Sequence, residues 1–289
     1  MTPQSIQITS RAKINWLLHV GPLRSDGYHD IITIFQELNL GETMQFTAQP
    51  EHDQCILTGY PADIDPEDNL VTRAWHMLRK LCPDRVHGIH VSIEKTLPQG
   101  GGLGGGSSNA AATLNALNIL YNLDLPIADL ERLAGMLGSD IPFFIRGGTA
   151  LATGRGEILS PLPPAPIYWF VLQFPTERMS TADAYRQLDS HHRVEPSQHT
   201  LSKFLTTLHH GDPILLAPLL FNDFEIVAEK YFWFTDARQK LSTAGALATL
   251  LCGSGSTVCG LCRDEQHANE VAQKAGGTVV STFSKARPS

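Results

Sequence analysis

Residues 97–117 read LPQGGGLGGGSSNAAATLNAL, with six glycines in the seven positions 100–106 and a helix-like pattern directly behind them. Glycine loses more backbone freedom on folding than any other residue, so a run this dense destabilises the chain unless the loop has a use. A loop almost without side chains turns consecutive backbone N–H groups toward one point and forms a concavity for anions. A helix beginning at Ser107 or Ser108 adds the positive end of its dipole and its unpaired N–H groups. Loop and helix start together suit a phosphate. The two serines can cap the helix, or turn their hydroxyls to a phosphate or a metal.

Two familiar phosphate loops compare differently. A P-loop of the G-x-x-x-x-G-K-[ST] type needs a lysine after its glycines, and none follows here. A dinucleotide fingerprint matches trivially inside so many glycines, and Asp124 stands at about the spacing of its acidic residue, so spacing leaves that alternative open.

Other chemistry-bearing residues are scattered. Asp140 in GSDIPFF is a turn former beside proline, or a carboxylate that accepts a proton from a substrate hydroxyl. Lys13 and Asn15 in AKIN are two apart on a strand and point the same way. Tyr28 and His29 in DGYHD form a loop anchor or a stacking platform for a base. Cys259 and Cys262 make a C-x-x-C, but no second pair accompanies them and no thioredoxin-like βαβ context surrounds them. They read as small apolar residues of a buried strand.

The elements that must position these groups follow from periodicity. Residues 5–20 alternate, with Ala12, Ile14, Trp16 and Leu18 on one face and Arg11, Lys13 and Asn15 on the other, as in a half-buried strand. Residues 69–81 have the spacing of an amphipathic helix, and 87–95 alternate as a strand. The helix after the glycines carries Ala110, Leu114, Leu117 and Tyr121 on one face. A further helix covers about 127–137, with Gly138 placed for a left-handed cap. GGTALATGRGE reads as a strand entering a tight turn, and YWFVLQF as a continuous apolar strand. The proline-rich SPLPPAPI places a boundary near residue 160, and the tail SKARPS reads as loose.

The whole chain has 289 residues, 42% of them hydrophobic, a net charge of −7 and a pI near 5.9. That length suits two domains. The acidic balance argues against a nucleic-acid binder, though one local pocket can still be positive. The lack of any stretch of about 18 apolar residues and of an apolar leader argues against a membrane span or a signal peptide, and for the cytoplasm.

The string LPQGGGLGGGSSNAAA resembles the phosphate loop of the GHMP small-molecule kinases, typified by galactokinase, homoserine kinase and mevalonate kinase. AKINWLLHV, RSDGYHDI, GSDIPFF, ATGRGE and CGSGST follow that family's order across most of the chain. The triple glycines and the D-G-Y-H block resemble the branch whose acceptor is a cytidine diphosphate-linked methylerythritol.

That resemblance implies an α+β, two-domain GHMP kinase fold. Residues 1–160 would form a ribosomal-S5-domain-2-like ATP domain, and 161–289 a ferredoxin-like α/β sandwich for substrate. It implies ATP with Mg²⁺, the metal ligands being unreadable. ATP would lie against Pro98, Gln99, Gly100, Gly101, Gly102, Leu103, Gly104, Gly105, Gly106, Ser107 and Ser108, with Asn69 and Lys95 near the adenosine. Lys13 and Asp140 would be the catalytic pair, Asn15 would orient the erythritol, and Tyr28 and His29 would bind the cytosine with Tyr185 closing the sandwich. The implied partner is this small molecule, with no nucleic acid, membrane or obligatory protein. If the glycines only leave room for a triphosphate, Gly104→Val should impair ATP use with little loss of fold. A homoserine kinase-like enzyme, a dinucleotide oxidoreductase and a non-catalytic nucleotide-binding regulator are the alternatives.

Overall fold

The computed structural model describes residues 4–60 and 65–283; the tail read as loose lies outside them. Two long antiparallel strands, β1 (Ser5–Leu23) and β2 (His29–Gln49), form the frame. Then come β3 (Cys55–Thr58), α1 (Leu70–Leu81) and β4 (Gly88–Glu94). The helical group α2 (Gly105–Leu120), α3 (Ile127–Leu137) and α4 (Ile141–Arg146) precedes the hairpin β5 (Thr149–Thr153) and β6 (Ile158–Pro161). The first sheet runs β3-β4-β2-β1, with β5 also on β2 and β6 on β5.

The second half begins with β7 (Trp169–Gln173), followed by α5 (Thr181–Leu188), α6 (Gln198–His210) and α7 (Pro213–Leu216). A two-residue strand, β8 (Phe221–Asn222), crosses back to lie parallel to β1 in the first sheet. Next come α8 (Glu225–Ala228), α9 (Phe232–Ala244), β9 (Ala248–Leu251), β10 (Val258–Cys262), α10 (Glu265–Ala275) and β11 (Thr278–Ser281). The second sheet is antiparallel, in the order β11-β7-β10-β9. With helices between β7 and β9 and between β10 and β11, that is the ferredoxin-like arrangement.

The amphipathic spacing of 69–81 does form a helix, α1. Asn69 caps it by accepting from the Val71 N–H at 3.0 Å, and Val71, Ala74, Trp75 and Leu78 are buried. α2 is apolar almost all round and is buried over Ser108–Leu114. Its start differs from expectation. The cap is Gly104 at φ +72, and Ser107 and Ser108 lie within the first turn, where they cap nothing. Gly138 ends α3 with an extended backbone, φ 175°, so no left-handed conformation calls for glycine there.

β1 is half-buried only over Ser5–Thr9 and is enclosed from Ser10 to Gly21. Ala12, Ile14, Trp16 and Leu17 pack into a core shared with Tyr168 and Phe170 of the second half, and the Trp16 ring meets Tyr168 edge-on at 5.0 Å. The opposite face is covered too, so Lys13 is 4% exposed and Asn15 2%. Alternation marked two faces correctly but could not show that both are roofed by protein. Among the described residues no helix is long and apolar enough to cross a membrane. Cys259 and Cys262 lie in β10, free and buried, and burial pushes the Cys262 thiol up to about 12.

Candidate active site

The glycine loop joins β4 to α2. Gly100, Gly102 and Gly104, every second residue, take φ of +67°, +76° and +72°. This alternation turns successive N–H groups into one concavity. α2 has no side-chain cap, so the N–H groups of its first turn end at the same place. The loop is tied on both sides: Leu103 accepts from the Lys13 N–H at 2.9 Å, and Gly101 accepts from the Thr257 N–H at 3.2 Å. A Cβ on Gly102 would lie 1.9 Å from the Cys252 carbonyl oxygen, and one on Gly104 would lie 2.7 Å from Phe144 and 3.2 Å from Lys13. These two glycines are required by packing, which corrects the expectation that Gly104→Val would spare the fold. Gly105 and Gly106 have room for a methyl group, with nearest neighbours at 3.4 and 3.8 Å.

Two cavities share this loop as a wall. The first, of about 290 Å³, is lined by the chain from Pro98 to Ser107 together with Asn69, Lys95, Leu70, Ile93, Tyr60 and Asn109. Ser108, 2% exposed, is the one sequence-proposed nucleotide residue that does not line it. Lys95 pairs with the fully buried Glu42 at 2.5 Å. Glu42 has no signal in the sequence, which assigns no element to the segment that forms β2.

The second cavity, of about 260 Å³, lies across Gly100, Gly102 and Gly104 and holds Lys13, Asn15, Asp140 and Tyr185. Asp140 sits at the N-terminus of α4, held there by the turn after Gly138 and by Pro142 in the first helical turn. Its Oδ2 is 3.6 Å from Lys13 Nζ. That ammonium donates to Asn15 Oδ1 at 2.8 Å, Asn15 Nδ2 donates to Thr33 Oγ1 at 2.8 Å, and Thr33 donates to the Leu17 carbonyl at 2.7 Å. The chain of donors fixes a buried cation beside an open carboxylate. Thr33, which orders this chain, was not found from sequence; its position opposite Leu18 on the neighbouring strand becomes visible only with the register. Gly253, Ser254 and Gly255 of CGSGST close the far side.

The aromatic residues are only partly brought together. His29 stacks on Tyr185, with ring centroids 4.9 Å apart at 22°. Tyr185 also meets Phe224 edge-on at 4.8 Å, and its hydroxyl is pushed up to about 12 by burial and then by the charge of Asp140. His29 Nδ1 is 3.0 Å from the Gly21 carbonyl, so it carries the proton and leaves Nε2 free of that bond. Tyr28 is half exposed, with the Arg155 guanidinium 4.7 Å above its ring. The face of Tyr185 proposed for the base is thus covered by His29, while Tyr28 stands apart.

Glycine loop, helix start and a lysine–aspartate pair on one side define a phosphotransferase site, and comparison with known proteins agrees. The description "GHMP kinases N terminal domain" matches residues 69–148, and "GHMP kinases C terminal" matches 204–281. The chain belongs to the GHMP kinase family, and it is an ATP-dependent kinase of a small molecule. It is 39% identical to the 4-diphosphocytidyl-2-C-methyl-D-erythritol kinase of a Synechococcus strain, over 97% of this chain and 91% of that one. The enzyme of the same name from Moorella thermoacetica is 37% identical, over 96% and 97% of the two chains. A crystal structure of 4-(cytidine 5'-diphospho)-2C-methyl-D-erythritol kinase superposes with a TM-score of 0.81 at 31% identity, over 97% and 100% of the chains. Homoserine kinase from Cytophaga hutchinsonii, at 20% identity and a TM-score of 0.71 over 97% and 95%, shares the fold.

Proposed function

We propose that this chain transfers the γ-phosphoryl group of ATP to the 2-hydroxyl of 4-diphosphocytidyl-2-C-methyl-D-erythritol, a step of non-mevalonate isoprenoid biosynthesis. The observation that carries the reaction is the shared wall: the same three glycines border the nucleotide cavity and the cavity of Lys13 and Asp140. The acceptor is supported by relatives of that name at 35–39% identity over nearly the whole chain.

In this reading Asp140 takes the proton of the attacking hydroxyl, and Lys13 stabilises the charge that develops on its oxygen. Phosphoryl transfer needs positioning and charge stabilisation more than covalent help, and a lysine already fixed by Asn15 supplies both without reorganising. Asn15, whose oxygen is engaged by Lys13, acts on the acceptor through that lysine as much as directly. Residues 1–160 hold the nucleotide; residues 161–289 add Tyr185 and the Gly253–Gly255 turn to the acceptor side. Tyr28 and His29 meet the cytosine.

Magnesium suits this site in one respect. Among the described residues no three His, Cys, Asp or Glu side chains cluster into a metal site. An ion held largely by nucleotide phosphates needs few protein oxygens; the Ser107 hydroxyl in the nucleotide cavity and the Asp140 carboxylate across the shared glycine wall would supply them. Bound there, Mg²⁺ would neutralise phosphate charge. ATP as substrate and five unpaired cysteines favour the cytoplasm.

An ADP-release assay with ATP, Mg²⁺ and the cytidyl acceptor tests the function, with homoserine and mevalonate as controls. Turnover with the cytidyl acceptor alone is expected. Turnover with a control acceptor instead overturns the substrate, and turnover with none of them overturns the kinase reading.

A further inference from the structure

Glu42 stands in β2, opposite Ser10 of β1, with no exposed surface. Its carboxylate makes three contacts. Oε1 accepts from the Leu97 N–H at 3.2 Å and lies 2.5 Å from Lys95 Nζ; Oε2 accepts from Asn109 Nδ2 at 2.8 Å. Leu97 immediately precedes the glycine loop, and Asn109 lies in α2 just beyond it. One side chain therefore grips both ends of the loop and the lysine at its base. A buried carboxylate is a poor choice for stability alone, because its desolvation can exceed what its partner returns. It has one property that a neutral side chain of its size lacks: it accepts on every side and donates on none. Glutamine here keeps its oxygen for Leu97 only by turning its NH₂ toward Asn109, whose amide must then flip to accept with Oδ1, and it faces the Lys95 ammonium without a charge.

We infer that Glu42 is the positioning residue of the nucleotide loop, holding its entry and exit in the spacing that ATP requires. The inference rests on the nucleotide reading of the loop given above. Glu42 touches no reacting atom; it acts through Leu97, Asn109 and Lys95. Its loss therefore weakens ATP binding first. The acceptor cavity shares the loop glycines as a wall, but Lys13, Asn15, Asp140 and Tyr185, which also line it, make no contact with Glu42.

The test is a calorimetric titration of the full chain with ATP, beside steady-state kinetics, for Glu42→Gln, Lys95→Met and the double variant. The ATP Kd of Glu42→Gln is expected to rise about tenfold, with the acceptor KM within about twofold of wild type, the split that marks a lost ground-state contact. Adding Glu42→Gln to Lys95→Met should weaken ATP by a similar factor again. No further loss on that background means Glu42 only neutralises Lys95, and overturns the inference. An unchanged ATP Kd in the single variant overturns it as well, as does an acceptor KM that rises by the same factor. Should Glu42→Gln not fold, Asn109→Ala removes the helix-side link together with that side chain's own part of the cavity wall and must raise the ATP Kd; an unchanged value is equally fatal. A wild-type chain that binds ATP but turns over no acceptor defeats the kinase reading, and the titrations still decide the role of Glu42.

Discussion

Lys13 Nζ lies 3.6 Å from Asp140 Oδ2, yet the two side chains meet water very differently, the lysine 5% exposed and the aspartate 37%. The cation is locked by Asn15 and Thr33 before any ligand arrives, while the carboxylate stays open to an incoming hydroxyl. Fixed charge beside an accessible base is the arrangement that lowers a barrier without reorganisation in the transition state.

Asp140→Asn should therefore lower kcat by about 10²- to 10⁴-fold, the range of a positioned acid–base group. ATP and acceptor binding should stay near wild type, because the amide keeps the shape. The melting temperature should fall modestly, because the amide leaves the buried Lys13 ammonium without its counter-ion while the 37% exposure of the aspartate limits what the pair contributes. A kcat within tenfold of wild type would remove Asp140 from the chemistry.

The glycines divide into those the fold requires and those only a ligand requires. Gly106→Ala places a methyl group 3.8 Å from Leu70, without a left-handed backbone to oppose it, and should fold normally. The added group enters the nucleotide cavity, so the ATP KM should rise several-fold while the melting temperature holds. Gly102→Ala drives its Cβ into the Cys252 carbonyl and should destabilise or prevent folding. Equal thermal behaviour of the two variants would contradict this division.

Tyr28 is the aromatic whose removal separates binding from folding. It is 53% exposed and packs against Arg155 rather than a core. Tyr28→Ala should raise the acceptor KM roughly 5- to 150-fold, the scale of about 1–3 kcal/mol for one stacked base. ATP kinetics and thermal stability should be unaffected. An unchanged acceptor KM would place the cytosine elsewhere.

How much of this was legible in the sequence depends on the range of the interaction. The helix over 69–81, the alternation of 87–95 and the turn of the glycine run are local, and the sequence shows them. Gly104 and Gly102 were read as space for phosphate, because the Phe144 ring and the Cys252 carbonyl that crowd them come from distant segments. Lys13 was read on an exposed face for the same reason. Glu42 and Thr33 sit in a segment to which the sequence assigns no element, and their partners 16 to 67 residues away exist only once the register is set. The motifs of the site were visible, and the residues that hold them in place were not.

Glu225 gives stability a pH dependence that this sequence did not announce. Burial pushes its carboxyl up to about 7 from 4.5, against the Leu251 N–H, which donates to Oε1 at 2.7 Å and lowers it. Between those two values the folded protein keeps a proton that the unfolded chain has released. Stability therefore falls as pH rises from 4.5 to about 7 and levels off above, by on the order of 1–3 kcal/mol in all. Glu225→Gln resembles the protonated carboxyl and still offers an oxygen to Leu251. It should match wild type near pH 4.5 and melt a few degrees higher at pH 8, at about 2–4 °C per kcal/mol for a chain of this size. Thermal unfolding of both proteins at those two pH values decides the matter: a constant difference between them would mean that folding leaves the Glu225 carboxyl at its unfolded pKa. The consequence reaches the site, because Leu251 leads directly into the Cys252–Gly255 turn that walls the acceptor cavity.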